Sequence, residues 1–139
     1  MATIVGTGDY RYRIVEDWAK LPDGWTFKEV GAVGVDSRDN VYVFNRGDHP
    51  MMVFDRAGKF LRSWGEGEYP RAHGVHMGPD DSIYLTDDGG SFVRKCRIED
   101  GKALGEAAAL AGRREDDQPL AQTGSFPPLS TKSLSRLGS

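Results

Sequence analysis

Short apolar runs alternate with clusters of turn-forming residues through much of the chain. In residues 32–36, apolar and small or polar residues alternate one by one, which is the period of a β-strand packed closely against a neighbour. The pattern predicts four strands in this first block, approximately Val33–Val35, Val41–Phe44, Met51–Asp55 and Phe60–Trp64. Many short strands separated by regular turn signals indicate an all-β chain.

Polar turn residues connect these strands. Residues 37–40 form a tight polar turn, and residues 55–58 suit a type I turn because Asp55 stands first and Gly58 last. The block then recurs, since residues 32–43 align with residues 74–85, about 42 positions later. The matches include turn residues as well as apolar ones, which favours a true repeat over the alternative of two ordinary hairpins in a small sandwich.

A single four-stranded meander leaves both faces and both edges uncovered, so copies of it are expected to stack. Residues 34–49 and residues 53–65 resemble an NHL repeat, with its order of strand, Asp/Asn turn, strand, Gly-Lys turn and closing aromatic-Gly pair. NHL repeats build β-propellers, commonly with six blades. The resemblance therefore implies an incomplete β-propeller of about two four-stranded blades.

Two shorter motifs are similar to those of the peptidyl-α-hydroxyglycine α-amidating lyases and their bacterial NHL relatives. They are Phe-Asn-Arg-Gly-Asp-His at residues 44–49 and Arg-Ala-His-Gly-Val at residues 71–75. Those lyases split a peptidyl-α-hydroxyglycine into a peptide amide and glyoxylate at a zinc site in the central cavity of the propeller. The resemblance extends from about Arg11 to Leu104 and implies a peptide or small-molecule ligand in such a cavity.

The lyase resemblance implies roles for two side chains. Arg46 matches an arginine at the substrate, where a guanidinium offers paired donors to oxygens; an ion pair with Asp48 or another carboxylate is the alternative. His73 matches a zinc ligand, but a catalytic zinc needs three protein ligands. The other two lyase histidines belong to later blades, and neither His49 nor His76 replaces them by motif. We therefore expect this chain alone to be inactive and His73 to hold no zinc in it.

The resemblance also implies a calcium site. Val33 and Val75 match positions whose backbone carbonyls hold a structural calcium ion in the lyases, and carbonyl oxygens suit calcium. Zinc and calcium are thus the cofactors of the family.

Three further residues have side chains that could bind a metal or act as a nucleophile. Asp87 and Asp88 could be ligands at the top of the second block, but a solvated turn before residues 89–90 is the favoured interpretation. Cys96 falls within a predicted strand, and no histidine accompanies it by motif, so we expect a small core residue rather than a nucleophile.

Charge and composition exclude some classes of partner. The chain has 38% hydrophobic and 28% charged residues and a formal net charge of -3, so nothing favours nucleic acid or an anionic membrane. The apolar runs are too short to span a bilayer, and the N-terminus lacks the features of a signal peptide. Together with the single cysteine, this predicts a cytoplasmic protein, although a mis-assigned start that removed a leader would look the same.

The chain divides into an N-terminal extension (1–27), the two repeats (28–104) and a non-repeat tail (105–139). Residues 12–15 are a candidate extra strand that would close a propeller ring. Helix formers in residues 103–114 predict a partly helical start to the tail, and the Pro-, Ser- and Gly-rich remainder predicts disorder.

A third blade belongs where the tail begins, so a truncation or a shift of reading frame near Gly105 is one hypothesis. The open blade edges would also allow self-association.

Function divides into two classes. The chain is either part of a propeller related to the amidating lyases or a non-catalytic NHL-repeat module that binds a ligand or a protein.

Overall fold

The computed structural model describes residues 1–108, which form ten β-strands in three antiparallel sheets. No described residue is helical, so this part of the chain has no helix able to cross a membrane. A two-stranded hairpin contains β1 (Ile4–Thr7) and β2 (Tyr10–Arg13). The all-β class expected from the sequence is confirmed.

Sheet 1 is a four-stranded meander in the order β3-β4-β5-β6. Its strands are β3 (Val30–Val35), β4 (Val41–Asn45), β5 (Met51–Phe54) and β6 (Phe60–Trp64). The central strands β4 and β5 are apolar at nearly every position because both faces of the sheet are covered there. The four strands predicted for the first block are thus present, with bounds that differ by at most a few residues.

Sheet 2 repeats this arrangement with β7 (Ala72–Met77), β8 (Ile83–Asp87), β9 (Phe92–Cys96) and β10 (Ala103–Ala108). Strands β3 and β7 begin 42 residues apart, as do β4 and β8. The aligned turn residues Asp39 and Asp81 share a left-handed backbone, with φ of 63° and 55°. The internal repeat predicted from the sequence therefore corresponds to two sheets with the same strand order and matching turns.

The main core lies between the two sheets, and β3 runs beside β7 at one margin of it. Sheet 1 contributes mostly large side chains, and sheet 2 contributes smaller ones from β8 and β9. The buried members are Tyr42, Phe44, Met51, Val53 and Trp64 from sheet 1, and Ala72, Ile83, Leu85 and Cys96 from sheet 2. Close approach requires a glycine, because a Cβ on Gly34 would lie 2.6 Å from Cγ1 of Val75. The small residues predicted in β3 thus mark the close contact between the sheets.

The opposite face of sheet 1 is covered by residues 17–28, which we call the strap. Its apolar side chains pack on Met52 and Phe54 and form a second core; they are Trp18, Ala19, Leu21, Trp25 and Phe27. The strap bonds to sheet 1 through the amide of Lys20, which donates to the Gly58 carbonyl at 2.8 Å. The region expected to be an extension is therefore partly a structural layer of the fold.

The strap places a tryptophan against a turn glycine of sheet 1, and sheet 1 places a tryptophan against the aligned turn glycine of sheet 2. Trp18 lies against Gly58, and Trp64 lies against Gly101, the aligned glycine of the next repeat. Both glycines have left-handed φ, 84° and 72°, and a Cβ at either would overlap its neighbour. The strap thus occupies the place that the end of an outer strand would take, which the sequence alignment did not detect.

A buried polar chain links the two sheets at the outer side of the core. Asp36 accepts hydrogen bonds from the Asn40 side chain (2.9 Å) and the Tyr42 hydroxyl (3.0 Å). Arg62 donates to the same Tyr42 oxygen at 2.9 Å and to the carbonyl of Ile98, in the turn between β9 and β10 of sheet 2, at 2.8 Å. Burial works to raise the pKa of Asp36, but these bonds and those from the backbone of Asn40 and Arg38 outweigh it and leave the pKa below 3.8.

Two sequence expectations need correction. Residues 103–108 are not the start of a helix but strand β10, which pairs with β9 and satisfies its backbone groups there. The strand also continues past position 105, where the tail was expected to begin. Residues 109–139, with the rest of the predicted helix and the predicted disorder, lie outside the described residues. Of residues 12–15, the candidate extra strand, Tyr12 and Arg13 belong to β2 and pair with β1. A role in closing a propeller ring stays a prediction.

Asp36 predicts an acid-dependent loss of stability. A depressed folded pKa means that the carboxylate stabilises the fold fully above about pH 4 and that this contribution is lost as pH falls through the folded pKa. Asp36→Asn should lower stability near neutral pH by about 1–3 kcal/mol and flatten the loss below pH 4. Urea unfolding between about pH 2 and pH 7 measures both. Asp9→Asn, in the exposed turn of the hairpin, is the control, and an equal flattening there would refute the assignment.

Candidate functional site

The two resemblance motifs meet at one end of the paired sheets. Arg46 follows β4, and its Nε donates to the carbonyl of Ala72, the residue before His73, at 3.0 Å. At the same place, a Cβ on Gly31 would lie 2.7 Å from the Ala72 oxygen and 3.2 Å from Cα of His73. The contact between β3 and β7 therefore brings together residues that are distant in the sequence.

Arg46 is half-buried and held by a carboxylate. Its Nη1 lies 3.2 Å from Oε2 of Glu29, and 24% of its side chain is exposed. Hairpin register explains the pair. Val30 lies opposite Asn45 in antiparallel strands, so Glu29, which precedes Val30, lies close to Arg46, which follows Asn45. Arg46 therefore has a carboxylate partner, but this partner is Glu29 and not Asp48. Two of the five guanidinium donors are used by these contacts.

His73 is more exposed and has one acidic neighbour. Its Nδ1 lies 3.8 Å from Oδ2 of Asp88, which also lies 3.5 Å from Nη1 of Arg71, and 59% of the His73 side chain is exposed. Within residues 1–108, no three His, Cys, Asp or Glu side chains come together as a metal site would require. His73 and Asp88 do not complete the zinc site that the resemblance implies.

Buried polar side chains shape the loops that carry these groups. In sheet 1, Asn45 accepts from the amides of Gly47 (2.9 Å) and Lys28 (3.3 Å). In sheet 2, the aligned Asp87 accepts from the amides of Gly90 (2.6 Å) and Arg71 (2.7 Å). Each side chain ties the loop after the second strand to the segment that enters the first strand.

Asp87 therefore overturns one expectation. It is fully buried and not part of a solvated turn, whereas Asp88 is the partly exposed member of the pair. The sequence offered one usable signal, since Asp87 aligns with Asn45 and both side chains can accept two backbone N–H groups.

Val33 and Val75 occupy equivalent positions in β3 and β7, each the first strand of its sheet and an edge strand. Edge strands keep backbone carbonyls that no neighbouring strand of their sheet pairs with. A calcium ion at these two carbonyls stays a prediction.

The other two histidines lie in different surroundings. His49 stacks on Trp25 of the strap, with ring centres 3.3 Å apart, and its Nδ1 lies 3.2 Å from Glu66. Burial works to raise the pKa of Glu66, but hydrogen bonds from its own backbone amide and from His49 outweigh it and lower the pKa. His76 lies beside Tyr84, with ring centres 6.1 Å apart. Neither histidine joins His73.

Cys96 is a core residue, as expected. It is fully buried between the sheets, and burial raises the pKa of its thiol. A thiol in that state is a poor nucleophile.

Comparisons with known proteins do not extend this picture. No protein-family model matches the chain, and no curated protein shows significant similarity to it. The resemblance to NHL repeats and to the amidating lyases is therefore a prediction from the residues.

Asp87 gives a direct test of the site's support. Asp87→Ala leaves the part-buried amides of Arg71 and Gly90 without this acceptor, and we expect a loss of about 1–3 kcal/mol in urea unfolding. Asp87→Asn keeps one acceptor oxygen and should lose less. If both substitutions cost less than about 0.5 kcal/mol, the buried carboxylate does not support these loops.

Proposed function

We propose that sheets 1 and 2 are two consecutive blades of an NHL-type β-propeller. Three observations support this. Each sheet is a four-stranded meander in sequential order. The first strands, β3 and β7, lie side by side. One face of sheet 1 packs against the face of sheet 2 that is turned toward it. The strap adds a third member to the series, because it lies on sheet 1 at the position that a preceding outer strand would take.

We infer further that the chain contributes part of a ligand site related to that of the amidating lyases. The observation that carries this proposal is the 3.0 Å hydrogen bond from Arg46 Nε to the Ala72 carbonyl, which joins the two lyase-like motifs. Strands β3 and β7 would face the axis of a propeller, so both motifs would border its central cavity. The remaining donors of Arg46 suit the carboxylate of a glycine-terminated peptide.

Catalysis by this chain alone is not part of the proposal. A zinc-dependent step needs more ligands than His73 and Asp88 supply. The second candidate is a binding module without chemistry. It is favoured by the ion pairs at the site, since Arg46 is paired with Glu29 and Asp88 lies near both His73 and Arg71.

Binding of hippurate, an N-acylglycine, tests the role of Arg46. We expect saturable binding by calorimetry that Arg46→Ala weakens at least about tenfold, because a charge-assisted hydrogen bond contributes about 1.5–3 kcal/mol. Arg46→Lys should recover only part of the affinity, since lysine lacks the planar pair of donors. Arg38→Ala, in the turn between β3 and β4, is the control for a general loss of positive charge.

Two results would contradict the proposal. Absence of hippurate binding would leave Arg46 a purely structural residue. Equal weakening by Arg46→Ala and Arg38→Ala would show that any binding depends on overall charge and not on the site.

A further inference from the structure

The hairpin of β1 and β2 presents apolar side chains that nothing in the described chain covers. Register places Val5 opposite Tyr12 and Thr7 opposite Tyr10, so both tyrosines and Val5 share one face. Tyr10 is 75% exposed and Tyr12 62% exposed. No other described strand packs against the hairpin. A two-stranded hairpin is marginally stable in water by itself, so this one requires a partner surface.

Strand β10 offers an open edge. It is the last strand of sheet 2 and pairs only with β9 among the described strands, and five of its six residues are exposed. An uncovered edge presents unpaired N–H and C=O groups that can accept another strand. Its sequence has neither proline nor lysine to prevent such pairing, and Leu104 projects from it 57% exposed.

Charge selects this edge over the corresponding edge of sheet 1. Strand β2 carries Arg11 and Arg13 and no acidic residue. Strand β10 carries one charged residue, Glu106, which bonds to Arg94 and keeps 41% of its side chain exposed. The charged residue of β6 is instead the basic Arg62.

The edge of sheet 1 is also partly occupied. The strap pairs with the start of this edge through a parallel bridge between Lys20 and Lys59.

The sheet faces are poor surfaces for another copy. The strap covers the outer face of sheet 1. On the outer face of sheet 2, Tyr84 and Val93 match Tyr42 and Met51 of sheet 1, but three of the five equivalent positions hold small or polar residues where sheet 1 has large apolar ones. Thr86 stands for Phe44, Lys95 for Val53 and Ala107 for Trp64. A second copy could not rebuild the apolar core on this face, so association is expected through the edges.

We propose that β2 of one copy adds to the β10 edge of a second copy, with Arg11 and Arg13 beside Glu106. Each copy has one such hairpin and one such edge, and reciprocal use of both would close a two-fold dimer with two equivalent contacts. The partner is thus a second copy of this chain, bound by β-strand addition. The open faces of the sheets are not used.

Sedimentation equilibrium of the full chain tests this proposal. The wild-type chain should have the mass of two chains and dissociate on dilution. Arg11→Glu/Arg13→Glu should yield monomer, as should Glu106→Lys, which places a positive charge beside the two arginines. The triple variant, with all three substitutions, should regain the dimer because the charges are exchanged across the contact. Arg38→Glu/Arg56→Glu changes the net charge equally in the turns of sheet 1 and should remain dimeric.

Folding is checked independently by the fluorescence of the tryptophans, all of which lie outside the hairpin and β10. A wild-type monomer at every concentration would overturn the proposal. So would a dimer that survives both Arg11→Glu/Arg13→Glu and Glu106→Lys, because the contact would then lie elsewhere.

Discussion

The fold depends on the burial of one face of sheet 1 against sheet 2. Neither four-stranded meander can cover its own faces, and large aromatic and aliphatic side chains of sheet 1 fill the space between them. Polar contacts surround this apolar core: Arg62 donates to the Ile98 carbonyl, Arg46 donates to the Ala72 carbonyl, and the Ser37 amide donates to Asp81 at 3.2 Å. Each crosses from sheet 1 to sheet 2, so together they fix the orientation of two apolar surfaces that hydrophobic burial alone would leave free to slide.

The candidate site is a consequence of the same packing. Arg46 and Ala72, the residue before His73, belong to different repeats and come together only because β3 and β7 lie side by side at the margin of the core. The buried Asn45 and Asp87 then set the shape of the loops above these strands. A substitution that alters the packing between the sheets would therefore change the geometry of the site without replacing any of its charged residues.

Much of the fold was predictable from local patterns. Apolar alternation, the turn at residues 55–58 and the alignment of Asp39 with Asp81 sufficed for the strands and the repeat, because these signals act within a few residues. The repeat was expected to end at residue 104, and the continuation of β10 to Ala108 was missed because alanine favours helix in isolation, whereas pairing with β9 overrides that preference. The strap was missed because Trp18 is recognisable as a counterpart of Trp64 only from its contact with a turn glycine.

The site was predictable in part. Motif resemblance singled out Arg46 and His73, and in the structure the Arg46 side chain donates to the carbonyl of Ala72, the residue before His73. The partner Glu29 depends on hairpin register, and the burial of Asp87 depends on how the loop closes over it; neither is visible in a motif.

Native-state hydrogen exchange in wild-type and Gly34→Ala protein tests the dependence of both sheets on their shared core. A Cβ on Gly34 would press on Val75 of sheet 2, and overpacking of this kind costs about 1–3 kcal/mol. If the sheets form one cooperative unit, the most protected amides of β4 and β8 exchange with the same free energy, and the substitution lowers both by the same amount. A decrease confined to β4, with β8 unchanged, would contradict the account and show that each sheet is stable without the other.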